Sequence, residues 1–396
     1  SLAMNSKTRN CQNCKTDFSI EPEDFQFYER IQVPPPTFCP QCRMMQKLIW
    51  LNEHAFFRTR CQAPDHNEEI ISKFAPEMGI KVYDYKYWWS DAWDPMDYGR
   101  DYDFSRSFFE QYHELERTLP HANVRQVNSI DCDYSLWATN SKNCYLVSSA
   151  YFSQDCMYSD TPAFCRDAID VSLCIFSDLL YESLSCTKCF NLLFSAYCFD
   201  CMDSKLLYDC RNCSNCFGCV GLRNKQYHVF NKSYSKAEYE SEIKKFDLGD
   251  NKSLEEAKKR FRKLVLGRPH KYMVEKNTVN CTGNDLENAK NCEFAFEVRD
   301  GAENCKYLLI GGRRIKDSYD VFGSGEKSEL IYSSSTFSSQ NVKFTNGARE
   351  STDIQYSSGC QASAHLFGCI YLRSKKHCIL NKQYNEGEYK ELVPKI

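Results

Sequence analysis

The chain has 396 residues, 24 cysteines and a formal net charge of −3. This length gives room for two or three domains with a sizeable core, and it excludes a small peptide that needs covalent staples. A protein that coats phosphate backbones over its whole surface is usually basic throughout. The slightly acidic balance therefore restricts any contact with nucleic acid to a local patch.

The N-terminus, SLAMNSKTRNC, lacks the apolar segment of a signal peptide, and no apolar run in the chain is long enough to span a bilayer. We therefore expect a cytoplasmic protein with reduced thiols and without a membrane partner. Ser1 to Ala3 precede Met4 and resemble a remnant of an expression vector.

The first motif in the chain consists of two CxxC pairs, Cys11 with Cys14 and Cys39 with Cys42. Each pair can form a knuckle that directs two thiolates at one point, and two knuckles complete a tetrahedral site without an open position. The spacing predicts a zinc ribbon over residues 4–60 that holds one structural Zn²⁺. Binding of the metal would supply folding free energy that a core of this size lacks.

Two short segments flank the second pair. The pattern predicts a helix within residues 19–30 that begins near Glu21 and Pro22. After Cys42, apolar side chains recur at near-helical spacing, and this stripe is expected to face the core. Its members are Met45, Leu48, Ile49 and Phe56.

A second module, within residues 61–130, repeats the ribbon spacing with a single cysteine, Cys61. The slots of the other three ligands hold Pro64, Asp84 and Tyr87. His66 and Asp84 could in principle assist Cys61, but a mixed set at irregular spacing is weak evidence for a metal. The spacing favours a ribbon-like hairpin without metal.

The segments CQNCKTDFSIEPEDFQFYERIQVPPPTFCPQCR and VYDYKYWWSDAWDPMDYGRDYDFSRSFFEQ resemble a family of uncharacterised zinc-ribbon proteins from small-genome environmental bacteria. The NKQY-type ends of the repeats described below are similar to that family too. The resemblance implies the layout of the chain and brings no established activity with it. It also implies that a second ribbon often carries its own CxxC pairs, from which this chain departs.

An aromatic and acidic connector extends from Tyr83 to Tyr112. If its rings are exposed, Trp88, Trp89 and Trp93 would form a stacking platform for sugars or bases. If they are buried, the connector is a seam that docks the ribbons onto the next domain. We favour the seam because aromatic side chains usually bury their large surface, and the acidic balance disfavours nucleic acid here.

From residue 132 the sequence repeats with a step of twelve, which indicates stacked supersecondary units. The pattern predicts a β-solenoid in which two steps of strand and turn form a flattened coil of 24 residues. An antiparallel sandwich is the alternative. The predicted interior columns are Cys132, Cys144 and Cys156; Cys174, Cys186, Cys198 and Cys210; Cys189, Cys201 and Cys213; and Leu330, Val342, Ile354, Leu366 and Cys378.

A longer repeat relates the segment that begins at Phe217 to the one that begins at Phe367. It predicts two solenoid copies, over residues 131–245 and 281–396. Each copy ends in a capping box that starts a short helix suited to covering the last coil, with Ser235 and Glu238 in one copy and Asn385 and Glu388 in the other. The run Cys210, Cys213, Cys216 and Cys219 looks like an iron–sulfur motif, but Leu366 replaces Cys216 in the second copy. We therefore predict that the run is packing and binds no metal.

The linker between the copies, residues 246–280, contains a predicted helix signalled by Ser253 and Glu256. It is the most basic part of the chain and is either a solvated helix face or a site for an anionic partner. The candidate anion-binding residues are Lys258, Lys259, Arg260, Arg262, Lys263, Arg268 and Lys271.

The sequence thus predicts a mainly β protein: a four-cysteine zinc ribbon and a ribbon-like hairpin, followed by two β-solenoid copies with capping helices. No catalytic motif has supporting context. We expect a non-enzymatic binding or scaffold protein that engages RNA or a ribonucleoprotein through the ribbon and the basic linker. The alternatives are a carbohydrate-binding or carbohydrate-active solenoid that uses the connector, and a purely structural assembly protein.

Overall fold

The computed structural model describes residues 6–49 and 55–396, with 41% of the chain in strands and 19% in helices. Residues 1–5, which include the predicted start of the ribbon at residue 4, and residues 50–54 of the predicted ribbon lie outside the described residues. The α-helices of the described part are α1 (Pro22–Arg30), α2 (Pro40–Leu48), α3 (Tyr85–Trp89), α4 (Phe108–Thr118), α5 (Lys236–Ile243), α6 (Asn251–Leu266) and α7 (Glu386–Leu392). Short 3₁₀ helices cover Pro76–Met78, Pro95–Tyr98 and Val393–Lys395. None of the described helices is long and apolar enough to cross a membrane.

The chain forms two compact units that do not follow chain order. One unit comprises residues 1–51, 91–119 and 271–396, and the other comprises residues 52–90 and 120–270. The four-cysteine ribbon therefore belongs to the same unit as the second solenoid copy, and the ribbon-like hairpin belongs with the first copy. The domain boundaries given above remain predictions.

In the unit that holds the first solenoid copy, successive strands pair in parallel with their neighbours in sequence. The register pairs Gln154 with Arg166 and Arg166 with Asp178, a step of twelve residues. One coil therefore contains twelve residues, and the predicted coil of 24 is wrong. The strands of this copy are Arg125–Val127, Trp137–Thr139, Ser149–Tyr151, Gln154–Met157, Arg166–Ser172, Asp178–Leu184, Phe190–Leu193, Met202–Tyr208, Ser214–Val220, Gln226–Val229 and Lys232–Ser233.

Such a narrow coil is possible because the backbone turns every three residues. In the segment from residue 164 to residue 179 each third residue has a positive φ of 52–57°. Asn and Asp, which tolerate this left-handed conformation best, are frequent among these residues along the solenoid. The residue that follows each left-handed one points inward, as at Cys165, Ala168, Val171 and Cys174, which are at most 2% exposed. The interior thus has a period of three, and four such steps close one coil.

Helices close the end and cover one side of the first copy. The capping box of α5 forms as predicted, because Ser235 accepts from the N–H of Glu238 and the Glu238 carboxylate accepts from the N–H of Ser235. Helix α6 lays Ala257 and Phe261 against Phe217. The predicted N-cap at Ser253 is three residues too late, because the carboxylate of Asp250 accepts from the N–H of Ser253 and acts as the N-cap.

In the other unit, the second solenoid copy has the same parallel order, with coils of 11 to 13 residues. Val279 pairs with Lys290, Ala302 with Ile315, and the later strands return to a step of twelve. The predicted capping box of Asn385 and Glu388 begins α7. The strands are Glu275–Lys276, Val279–Glu287, Ala289–Val298, Ala302–Gly311, Ile315–Ser324, Glu329–Tyr332, Ser335–Phe337, Gln340–Lys343, Asn346–Arg349, Thr352–Gln355, Ala364–Phe367, Lys376–Ile379 and Lys382–Gln383. Across both copies the solenoid has about 21 turns.

In its own unit, the second copy is covered by a segment that precedes both copies in the chain. Phe367, which is the counterpart of Phe217, packs against Phe108 of α4 with ring centroids 5.0 Å apart. Leu115 and Leu119 of the same segment are fully buried in this cluster. Residues 93–112 of the connector, continued by Leu115 and Leu119, therefore pack on the second copy. That the connector docks the ribbons onto the next domain stays a prediction.

The ribbons use two antiparallel hairpins. Strands β1 (Lys7–Asn10) and β2 (Asp17–Ile20) form the first, and β3 (Phe57–Arg60) and β4 (Glu69–Ser72) form the second. A further short strand, Val82–Tyr83, pairs in parallel with His121–Ala122 in the unit of the second hairpin.

The apolar stripe that follows Cys42 does not face the core, contrary to the expectation from its spacing. The exposed fractions are 59% for Met45, 39% for Leu48 and 77% for Ile49. The buried side chains of α2 are instead Cys42 and Arg43. The orientation of α2 is therefore set by Cys42 and by the buried cation of Arg43. A pattern of apolar residues at helical spacing does not reveal either contribution.

Candidate metal centre

Two knuckles bring the four N-terminal cysteines together. Cys11 follows β1, and Lys15 closes the first knuckle in a left-handed conformation with a φ of 62°. Cys39 is the N-cap of α2, and Pro40 occupies the first helical position, where its missing N–H costs nothing. This start of α2 places Cys42 on the first helical turn, on the side of the first knuckle.

The sulfur atoms have the spacing of a tetrahedral thiolate site. All four lie within 4.8 Å of one another, and the sulfurs of Cys14 and Cys39 are 3.6 Å apart. Thiolates bound to tetrahedral Zn²⁺ at 2.3 Å lie about 3.8 Å from one another, so the observed spacing fits. A disulfide would need about 2.05 Å. The cluster can hold a metal ion in a closed four-sulfur shell.

Hydrogen bonds to the sulfurs favour the thiolate form. The backbone N–H of Cys39 donates to the sulfur of Cys11 at 3.2 Å, and the side-chain amide of Asn13 donates to that of Cys42 at 3.3 Å. Burial works to raise the pKa of Cys11, but backbone N–H groups, first that of Cys39, lower it to about 6. Burial raises the pKa of Cys39 to about 11. Such a set of sulfurs prefers a cation in its centre, which would hold all four as thiolates.

The ribbon is fixed to the second solenoid copy by aromatic and ionic contacts. Phe27 of α1 stacks on Tyr319 with ring centroids 3.9 Å apart. The ammonium of Lys306, on a solenoid strand, lies 2.8 Å from the carboxylate of Asp24 and 3.0 Å from that of Glu293. Burial works to lower the pKa of Lys306, but these carboxylates raise it well above its usual range. The sequence patterns gave no signal for this contact.

The candidate anion-binding residues fall into two sets, two that contact the first solenoid copy and five that are exposed to solvent. The Lys258 ammonium lies 3.0 Å from the Glu182 carboxylate and 4.4 Å from the ring centre of Phe194. The Arg260 guanidinium lies 3.8 Å from the ring centre of Phe230. These two cations hold α6 on the first solenoid copy. The other members, all exposed, are Lys259, Arg262, Lys263, Arg268 and Lys271.

The three tryptophans of the proposed stacking platform do not present one open surface. Trp88 is 5% exposed, and its indole N–H donates to the backbone carbonyl of Pro120 at 2.9 Å. Trp89 packs edge-on against it. Trp93 packs with Tyr98 in the cluster on the second solenoid copy. Trp88 therefore cannot stack on a ligand as the platform interpretation requires. Its ring lies in the core, and its indole N–H has a backbone partner there.

The run of four cysteines in the first copy lies inside the solenoid. Each of these four residues is at most 1% exposed. Cys210 and Cys219 direct their thiols at backbone carbonyls of the next coil, 3.6 and 3.4 Å away. The spacing of three follows from the interior period of three, a signal that was present in the sequence. That the run binds no metal stays a prediction.

The surroundings of Cys61 differ from the sequence-based set. The Asp84 carboxylate accepts from the N–H of Lys86 and caps α3. Within the described residues, the ligand atoms that approach the Cys61 sulfur are those of His66 and Glu68, within 4.8 Å of one another. This cluster therefore shares His66 with the sequence-based set of Cys61, His66 and Asp84, and it contains Glu68 in place of Asp84.

The fold and the cluster define a β-solenoid protein with a four-cysteine ribbon. No protein-family model matches the chain, and no curated protein matches it. Among solved structures, one described as "putative acetyltransferase from Desulfovibrio desulfuricans G20" is similar at 10% identity. The match covers 67% of this chain and 70% of that chain, with a TM-score of 0.13. A likeness this weak carries no argument about fold or function.

Proposed function

We propose that this chain is a non-enzymatic binding or scaffold protein that contains one structural Zn²⁺ and engages RNA or a ribonucleoprotein through its basic helix. The metal is assigned to Cys11, Cys14, Cys39 and Cys42. The observation that carries the proposal is the cationic outer side of α6, a helix that is anchored on the first solenoid copy.

Zinc suits the four-cysteine cluster for two reasons. Four thiolates in tetrahedral spacing select Zn²⁺ or an iron–sulfur centre, and the two-knuckle arrangement is that of zinc ribbons. Four protein ligands leave no position for a substrate, so the metal has a structural role. It would hold α2 against the first hairpin and so preserve the surface that docks on the second solenoid copy.

Helix α6 has two features that suit phosphate binding, an inner side that is docked on the solenoid and an outer side that is basic. Its inner side is fixed by Ala257 and Phe261 and by the ring contacts of Lys258 and Arg260. Over Asn251–Leu266 the sequence has six Lys and Arg against two Glu. A helix that is already docked loses little conformational entropy when a polyanion binds, and released counterions favour the complex.

Fluorescence anisotropy with a short mixed-sequence RNA at several salt concentrations tests this function. We expect salt-dependent binding, and the variant K259E/R262E/K263E should lower the slope of log K against log salt by about 2, at roughly 0.7 per lost phosphate contact. The matched control K142E/K188E/K205E reverses three exposed lysines of the first solenoid copy. Absence of salt-dependent binding, or equal losses in both variants, would rule out α6 as the RNA-binding surface.

A further inference from the structure

The second hairpin shares a long-range backbone hydrogen bond and a left-handed turn residue with the first ribbon. In the first ribbon the N–H of Gln12 donates to the carbonyl of Thr37 at 3.0 Å, and in the second the N–H of Gln62 donates to that of Val82 at 2.9 Å. Asp65 occupies the place of Lys15, and both have a φ of 62°. Cys61 therefore sits where the first ribbon has a metal ligand.

The sulfur of Cys61 also has the backbone environment of a ligand. It accepts a hydrogen bond from the N–H of Asp84 at 3.2 Å, the same contact and length that joins the N–H of Cys39 to the sulfur of Cys11. The donor therefore occupies the same place relative to the sulfur in both ribbons. The scaffold of a ribbon site is thus retained, although three of its four ligand slots hold other residues.

A longer hairpin turn supplies replacement ligands. In the first ribbon the turn joins the paired residues Asn10 and Asp17, whereas in the second it joins Arg60 and Glu69. The turn is therefore two residues longer, and it carries His66 and Glu68.

The donor atoms of this turn have the spacing that zinc requires. Nδ1 of His66 lies 3.1 Å from Oε1 of Glu68, and both lie within 4.8 Å of the Cys61 sulfur. Nitrogen and oxygen ligands of tetrahedral Zn²⁺, bound at 2.0–2.2 Å, lie about 3.3 Å apart. One thiolate, one carboxylate and a neutral imidazole would balance the charge of a divalent cation.

We propose that Cys61, His66 and Glu68 form a second Zn²⁺ site, with three protein ligands and a fourth position open to water. The side chains of His66 and Glu68 are 41% and 47% exposed, so the ion would exchange with solvent. The ring of Tyr87 packs edge-on against the imidazole at 4.9 Å and holds its orientation. The open position distinguishes this site from the closed four-cysteine site, and the proposal is independent of RNA binding.

Cobalt titration of the full-length protein tests the site. The protein first receives one equivalent of Zn²⁺, which the four thiolates take up most strongly and which Co²⁺ displaces poorly. Co²⁺ is then added while the thiolate-to-cobalt absorption is recorded. We expect the wild type to bind one further equivalent. Cys61→Ser should abolish the absorption, and His66→Gln should weaken binding by about 10-fold or more.

The chain offers a matched control in His113 and Glu116, another His–Glu pair, whose His is exposed and whose Nδ1 and Oε2 atoms are 3.6 Å apart. His113→Gln should leave the titration unchanged. His66 is exposed, so its variant keeps the test decisive even if Cys61→Ser fails to fold. The proposal is overturned if the wild type takes up no cobalt beyond the first equivalent of metal. It is equally overturned if His66→Gln and His113→Gln titrate alike, because His66 and Glu68 would then be an ordinary ion pair.

Discussion

Arg43 and Asp320 form a buried ion pair between the four-cysteine ribbon and the second solenoid copy. Nε of Arg43 donates to Oδ2 of Asp320 at 2.8 Å, and the side chains are 9% and 2% exposed. Burial raises the pKa of Asp320, and the guanidinium limits this rise. The guanidinium also lies 5.0 Å from the ring centre of Tyr307 and donates to the carbonyl of Phe38. Each charge is therefore tolerated only because its partner is present.

Removal of one member of this pair should be costly. We expect Arg43→Met or Asp320→Leu alone to lower the free energy of unfolding by about 3–5 kcal/mol, because one charge then remains buried without compensation. The double variant should recover most of this loss, since two apolar side chains replace both charges. Urea unfolding of the single and double variants measures the coupling. Additive losses in the double variant would contradict a coupled pair.

Loss of the metal should loosen the ribbon and leave the solenoid folded. In Cys11→Ser/Cys39→Ser we expect the tightly bound zinc to disappear and the amides of α1 to lose protection from hydrogen exchange, because the metal closes the fold around a small core. Elemental analysis and hydrogen exchange measure both effects. Cys281→Ser, at a half-buried cysteine of the solenoid, is the control and should change neither. Intact protection of α1 without zinc would show that the docked surface alone holds the ribbon.

The interior period of three predicts which solenoid positions tolerate truncation. Leu207 is fully buried in the first copy, whereas Leu184 is 38% exposed on the same copy. Leu207→Ala should lower the free energy of unfolding by about 2–5 kcal/mol through the cavity that it leaves. Leu184→Ala should change it by no more than about 0.5 kcal/mol. Equal effects in chemical denaturation would contradict the inward orientation of every third residue.

The capping box of α5 should contribute stability that depends on pH. The N–H of Ser235 donates to the Glu238 carboxylate and lowers the pKa of Glu238 below its ordinary value of 4.5. A lowered pKa in the folded state means that this stabilisation is complete above pH 4.5 and disappears as the pH falls through the lowered value.

Ser235→Ala should cost about 1 kcal/mol at neutral pH, the usual effect of a lost N-cap. The stability difference between the wild type and Glu238→Gln should shrink as the pH is lowered below 4.5. Thermal unfolding at several pH values measures both. A difference that stays constant through this range would exclude the carboxylate as the titrating group.

The repeat could be predicted from the sequence, but its coil could not. Recurrence at twelve is compatible with a coil of twelve, which places Cys198 and Cys210 in one column, and with a flattened coil of 24, which places them on opposite sides of one coil. The choice depends on whether the backbone can turn every three residues, and residues such as Phe164 and Phe176 take a left-handed conformation that their own preferences oppose. The parallel hydrogen bonds between coils compensate for this cost, and they exist only once the coils are stacked.

The two CxxC knuckles of the first ribbon and the two capping boxes were determined by the sequence alone, because each depends on residues a few positions apart whose geometry is local. Tertiary structure decided three other features: Trp88 is buried, Met45 is exposed, and Glu68 lies beside Cys61. It also decided the docking of Arg43 onto Asp320, 277 residues away. Contacts of this kind depend on which surfaces pack together after the solenoid has formed. The spacing of residues along the chain does not specify those surfaces.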